Sequence, residues 1–138
     1  MGVTMTLALD TNIFISSLVS YEKDSKLAVN LIRDIINGKY KAIASSVVYG
    51  EIISIPLNST KPSPMSFISR INNLNTVPAD DDICLKAAEI RKNEGSKVKL
   101  IDTLHLATAL LANADSFITN DKRLLKVAKK YISCRSLI

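Results

Sequence analysis

The sequence predicts an α/β protein: three layers, with a central, mainly parallel sheet flanked by helices on both faces. Two observations carry that expectation. Short apolar runs alternate with segments of helical period along the whole chain, an order that implies right-handed crossovers and a parallel sheet. The first run, Thr6-Leu7-Ala8-Leu9, has no polar face, as expected of a strand covered on both sides. At 138 residues, 47% hydrophobic and 22% charged, the chain is expected to form one packed domain over 1–138. No internal repeat, linker or low-complexity segment divides it.

The elements follow in order. After the first strand, a helix is expected from about Ser25, with Leu27, Leu31 and Ile35 at four-residue spacing and Gly38 ending it. Lys41-Ala42-Ile43-Ala44 reads as a second strand. A helix over 46–55 follows, capped by Ser45 or Ser46 and ended near Pro56. The Pro-, Ser- and Thr-rich segment 58–64 is the clearest loop, before a helix over 65–72 and a short strand at Thr76-Val77. Asp80-Asp81-Asp82 precedes Ile83, Ala87 and Ile90 at helical spacing. This run reads better as a capped first turn complementing the helix dipole than as a metal site. Residues 100–113 are apolar almost all round, so that helix is expected to be buried. Ser116-Phe117-Ile118 forms the next strand, a basic helix starts near Leu124, and a last strand lies near Ile132.

The formal charge is +5, with cations gathered in Lys122, Arg123, Lys126, Lys129, Lys130 and Arg135. Such a surface favours polyanions, though a solvated helix face explains it equally well. Cys84 and Cys134 are far apart and form no CxxC pair, which suits a reducing cytosol, and Cys84 reads as a core position. No apolar run has the roughly 18–20 residues of a membrane span, and no secretory signal is legible. Met1-Gly2 with Thr6 matches a loose myristoylation pattern, set aside because Thr6 begins the first strand. The sequon Asn58-Ser59-Thr60 has no meaning without secretion. A cytoplasmic protein is expected.

Functional groups of an open parallel sheet gather beyond the carboxyl ends of its strands. Asp10 ends the first strand, and Asp121 lies just beyond Ser116-Phe117-Ile118. If those strands are neighbours, both carboxylates face one crevice. Glu51 and Asp102 interrupt apolar helices with no Lys or Arg spaced to pair them. Two unit charges 4 Å apart interact by about 4 kcal/mol at an effective dielectric near 20. A domain's whole stability is about 5–15 kcal/mol, so four converging carboxylates need a compensating cation. Mg²⁺ or Mn²⁺, which prefer carboxylate and water oxygens, supply it. Singly, each acid has a plain alternative: Asp10 as a cap, Asp102 as a helix-start residue, Glu51 on an outward face, Asp121 in a turn.

Taken in order, Asp10-Thr11-Asn12-Ile13-Phe14, Glu51 in a mid-chain helix, Asp102-Thr103-Leu104-His105-Leu106-Ala107-Thr108-Ala109 and Ile118-Thr119-Asn120-Asp121 resemble the PIN-domain family, in particular the VapC-type toxins of toxin–antitoxin pairs. The resemblance spans nearly the whole chain. It implies a PIN-like fold and Mg²⁺- or Mn²⁺-dependent hydrolysis of RNA, with Asp10, Glu51, Asp102 and Asp121 as the catalytic and metal-holding quartet. It also implies a cognate antitoxin partner and homodimerisation. Thr119 corresponds to the hydroxyl residue that supports such a site, and Asn12 and Asn120 are polar neighbours of the acids. Asp115 reads as structural. His105 shares a helix face with Asp102 and reads as a packed or hydrogen-bonded residue rather than a general base. Lys122 and Arg123 are candidates for RNA phosphate contacts or plain surface charge.

Other α/β readings fit less well. A dinucleotide enzyme needs a Gly-rich turn where this chain has Asp10-Thr11-Asn12. A phosphatase with an aspartyl nucleophile wants an acid where Asn12 stands, and a receiver domain wants paired acids where Ala8 and Leu9 precede Asp10. A flap-type nuclease needs a longer chain. Two alternatives remain: an RNA-processing nuclease without an antitoxin, and a catalytically silent module binding RNA or protein.

Overall fold

A computed structural model describes residues 4–19, 25–54 and 63–138. Five strands, β1 (Thr6–Leu9), β2 (Lys41–Ser45), β3 (Leu74–Val77), β4 (Ser116–Ile118) and β5 (Cys134–Arg135), form one sheet in the order β3-β2-β1-β4-β5. Every pairing is parallel. β1 is therefore the central strand and β4 its direct neighbour, with Leu9 opposite Ile118. That register places the residues after both strands at one edge.

The period-2 alternation of strand side chains divides the core in two. Leu7, Leu9, Ala42, Ala44 and Ile118 point to one face, packed by α1 (Thr11–Leu18), α2 (Ser25–Ile36), α3 (Val47–Ile53) and α4 (Pro64–Ser69). Ala8, Ile43 and Phe117 point to the other, packed by α5 (Asp81–Glu94), α6 (Leu100–Leu111) and α7 (Lys122–Ala128). The three-layer expectation holds. Among the described residues, no helix is long and apolar enough to cross a membrane.

Several element boundaries and faces differ from the sequence reading, each for a local reason. On α2 the buried face is Ala28, Leu31, Ile32 and Ile35, whereas Leu27 is 45% exposed. The small Ala28 sits where α1 packs, and Leu27 lies 100° round from it. Gly38, with φ of +85°, does end that helix, a conformation that only glycine adopts without steric cost. α4 starts at Pro64, one residue early, because Ser63 caps it and proline fits the first helical position. It stops at Ser69, and β3 begins at Leu74 rather than Thr76. Most of the loop expected over 58–64, with its sequon, lies outside the described residues, as do Ile55 and Pro56.

Asp80 caps α5 by accepting a bond from the Ile83 N–H at 3.0 Å, the structural role expected of that acidic run. Cys84 is exposed rather than core, because Ile83, Ala87 and Ile90 take the buried stripe. Both cysteines are free thiols. α6 is buried along its middle, but Leu100 and Leu111 at its ends are 53% and 45% exposed. α7 starts at Lys122 instead of Leu124, since Asp121 caps it, and β5 forms at Cys134 rather than Ile132.

Phe117, fully buried on the α5–α6–α7 face, is expected to lose about 3–5 kcal/mol on Phe117→Ala. Cys84→Ser is expected to stay within about 0.5 kcal/mol of the parent. Urea unfolding of the two variants measures both.

Candidate active site

The turn leaving β1 builds the site. The Asp10 N–H extends the ladder to the Ile118 carbonyl at 3.0 Å, and the residue then caps α1, its Oδ1 accepting from the Thr11 N–H at 2.9 Å. The carboxylate is 5% exposed. Its Oδ2 accepts from the Thr119 hydroxyl at 2.7 Å and from the Asn12 amide at 3.1 Å. Thr119 is itself fully buried, and its Oγ1 also accepts the Asp121 N–H at 3.1 Å. One hydroxyl thus ties together the chain ends of β1 and β4. Asp121 caps α7, its Oδ1 accepting from the Arg123 and Leu124 N–H groups at 2.9 and 3.2 Å.

Asp102 stands in the first turn of α6, half-buried, within electrostatic reach of both Asp10 and Asp121. Glu51 on α3 reaches the same edge by another route. Its Oε1 accepts the Thr11 hydroxyl at 2.6 Å and meets His105 Nε2 at 2.5 Å. That ring nitrogen lies 3.0 Å from Thr11 Oγ1 and 3.8 Å from Asp10 Oδ1. The quartet therefore converges at one end of the sheet, with His105 and Thr11 standing between Glu51 and Asp10.

A family model described as the PIN domain matches residues 7–130. The chain belongs to the PIN domain family. Solved structures share this PIN fold: VapBC2 from Rickettsia felis bound to a promoter DNA fragment (17% identity, 96% of this chain and 98% of that one, TM-score 0.69); DNA-bound VapBC from Salmonella typhimurium (18%, 99% and 100%, 0.68); and a toxin–antitoxin complex from Klebsiella pneumoniae (21%, 96% and 98%, 0.66). No curated protein matches the chain closely enough in sequence to count as a relative.

The electrostatics of this PIN site are those of concentrated negative charge. Burial, with the charge of Glu51 added, raises the Asp10 carboxyl above its usual range, against the pull of His105, Thr119 and Thr11. Asp102 is raised by burial, then by the charges of Asp10 and Asp121, against a backbone bond from Lys99 and the pull of His105. Burial also pushes Glu51 up, but its bonds to His105 and Thr11 outweigh this and hold it low. Burial pulls His105 down, and Glu51, Asp10 and Asp102 more than reverse it. Among the described residues, His105 is the one basic side chain within 4 Å of these carboxylates. As placed, no three His, Cys, Asp or Glu side chains among the described residues come close enough together to hold an ion. The donor chemistry nevertheless fits one: carboxylate oxygens on three elements, two of them made costly to ionise by burial and mutual repulsion.

The remaining sequence candidates separate. Asn12 belongs to the site, its Oδ1 also accepting the Asn120 N–H at 3.3 Å. The Asn120 side chain turns away, accepting from the Leu137 N–H at 2.9 Å and the Ser136 hydroxyl at 3.2 Å. Asp115 lies at the opposite end of β4, where its carboxylate accepts the Thr6 N–H at 2.7 Å. Lys122 and Arg123 are exposed at the start of α7. Thr11 is the residue that sequence reasoning missed. Its signal was position alone, between Asp10 and Asn12 at a strand-to-helix turn.

The shifts fix the sign of the pH dependence without divalent ions. His105, Asp10 and Asp102 all bind protons more tightly folded than unfolded, so the stability each adds is present at low pH and is lost as pH rises through its folded value. For His105 that loss lies above 6.5 and for the two acids above 3.8. The opposing contribution of Glu51 is confined below 4.5. Thermal melts in EDTA are therefore expected to fall from about pH 5 to about pH 8, with His105→Gln flattening the upper part of that range.

Proposed function

We propose that this PIN protein is a metal-dependent endoribonuclease and the toxin of a toxin–antitoxin pair. What supports the reading is that Asp10 and Asp121 follow the neighbouring strands β1 and β4 and share the Thr119 hydroxyl, with Asp102 within electrostatic reach of both and Glu51 linked through Thr11 and His105. Asp10, Asp102 and Asp121 would hold Mg²⁺ or Mn²⁺, and Glu51 completes the set directly or through water. When bound, the ion supplies a more acidic water for attack on a phosphodiester and stabilises charge on the phosphate.

The chain's own residues prepare that chemistry. Thr119 and Asn12 spend their donors on Asp10 Oδ2, which fixes the carboxylate's plane before any ion arrives. Thr11 and His105 hold Glu51 ready at the far side. The excess of positive charge over the whole chain draws a polyanion toward an edge that is locally acidic.

The antitoxin partner is proposed from the similar structures, which are described as VapBC and FitAB complexes. Homodimerisation, a cytoplasmic location and action of 1–138 as one nuclease domain belong to the same reading. A small antitoxin gene beside this one favours the toxin role over an RNA-processing nuclease without antitoxin.

RNA cleavage in Mg²⁺ or Mn²⁺ is expected, with EDTA abolishing it. Asp10→Asn and Asp121→Asn are each expected to lose more than about 100-fold, and Thr119→Val about 10–100-fold by loosening Asp10. A gel assay over a broad RNA panel measures all three. Undiminished cleavage by both aspartate variants overturns the site; no cleavage by the parent favours the silent module.

A further inference from the structure

A second feature lies along α7, the helix that Asp121 caps. A cavity of about 380 Å³ is lined by Lys97, Arg123, Lys126, Val127 and Lys130. Arg123, Lys126, Val127 and Lys130 recur at i, i+3, i+4 and i+7, so α7 and the turn after it present one stripe. Val127 is buried and the cations are exposed around it. Lys97 arrives from a different element, the 3₁₀ turn Gly95–Lys97 between α5 and α6.

A face that serves solubility has no reason to gather four cations around one concavity, where they repel one another. Only one of them is neutralised at close range. Lys130 Nζ donates to Glu94 Oε1 at 2.8 Å, while the Tyr131 hydroxyl holds Glu94 Oε2 at 2.9 Å. Among the described residues, Lys97, Arg123 and Lys126 have no carboxylate within 4 Å. The cavity therefore keeps an excess of positive charge and suits an anion.

Its position says which anion. The stripe starts at Arg123, whose backbone N–H is bonded to Asp121 Oδ1, so the cations continue directly from the acid edge. We infer that this cavity is a phosphodiester subsite, in which Lys97, Arg123 and Lys126 hold the backbone of single-stranded RNA beside the bond presented to the acids. The inference rests on the ribonuclease reading. Four of the five described residues lining the cavity are cations, so the contacts that select a ligand here are charge contacts, which a strand with a phosphate at every nucleotide supplies repeatedly.

Binding of a fluorescent single-stranded RNA oligonucleotide, followed by anisotropy in EDTA across a salt series, separates the subsite from catalysis. Arg123→Gln and Lys126→Gln are each expected to weaken binding and to lower the log K against log salt slope by about 0.7, and the double variant by about twice that. Lys26→Gln, an exposed cation on α2, supplies the control and should leave the slope near that of the parent. An unchanged slope in the double variant overturns the subsite but leaves the nuclease reading standing if Asp10→Asn still abolishes cleavage. Normal binding with the expected slope losses, but no cleavage by the parent, keeps the subsite and overturns the nuclease reading. Competition by inorganic phosphate as strong per phosphate as by unlabelled oligonucleotide, or tighter binding of an acidic peptide than of RNA, overturns it as a strand site.

Discussion

Asp10 is a carboxylate with almost no access to water, placed just beyond the central strand of the sheet and within electrostatic reach of Glu51 and Asp102. Burying such a group is costly unless hydrogen bonds or opposite charge offset the loss of hydration. The protein uses three donors for this, Thr119, Asn12 and the Thr11 N–H, and all three come from the turns leaving β1 and β4. The pairing of those two strands is thus more than a structural convenience. Without it Asp10 would lack Thr119, whose bond from the Asp121 N–H is local to the turn after β4.

The second group of interactions solves the same problem for Glu51. A buried histidine and a threonine hold its carboxylate low while Asp10 and Asp102 are held high, so the acids of one cluster are unequal. His105 Nδ1 is buried with no partner among the described residues, a sign that its environment favours the contacts at Nε2 over full satisfaction of the ring. The Asn120 amide nitrogen is likewise buried without a partner among the described residues, its oxygen being committed to residues 136 and 137.

Much of the fold was legible because hydrophobic period is a strong signal. β1, β2 and β4 and the large helices lie where alternation and helical spacing place them, whereas β3 starts two residues early, β5 lies two residues late and α1 is absent from the sequence reading. Asp10 and Asp121 share one edge because parallel sheets leave little freedom there. What the sequence concealed was local competition. Leu27 and Ala28 are both apolar, and only the approach of α1 decides that the smaller one faces inward. Cys84 lost the core to Ile83 by 100° of helix rotation. Asn120 resembled its neighbours in type, yet only the C-terminal residues that it bonds reveal that its side chain points elsewhere. Thr11 was invisible because its hydroxyl bonds Glu51 and His105, partners 40 and 94 residues away.

The tie between Thr6 and Asp115 spans 109 residues and joins the start of the central strand to the start of its neighbour. On the ribosome, β1 is made long before β4 and waits for it. Thr119 and Asp121 arrive at the same late moment. A nascent chain therefore lacks the complete set of acids until β4 and the turn after it have been made.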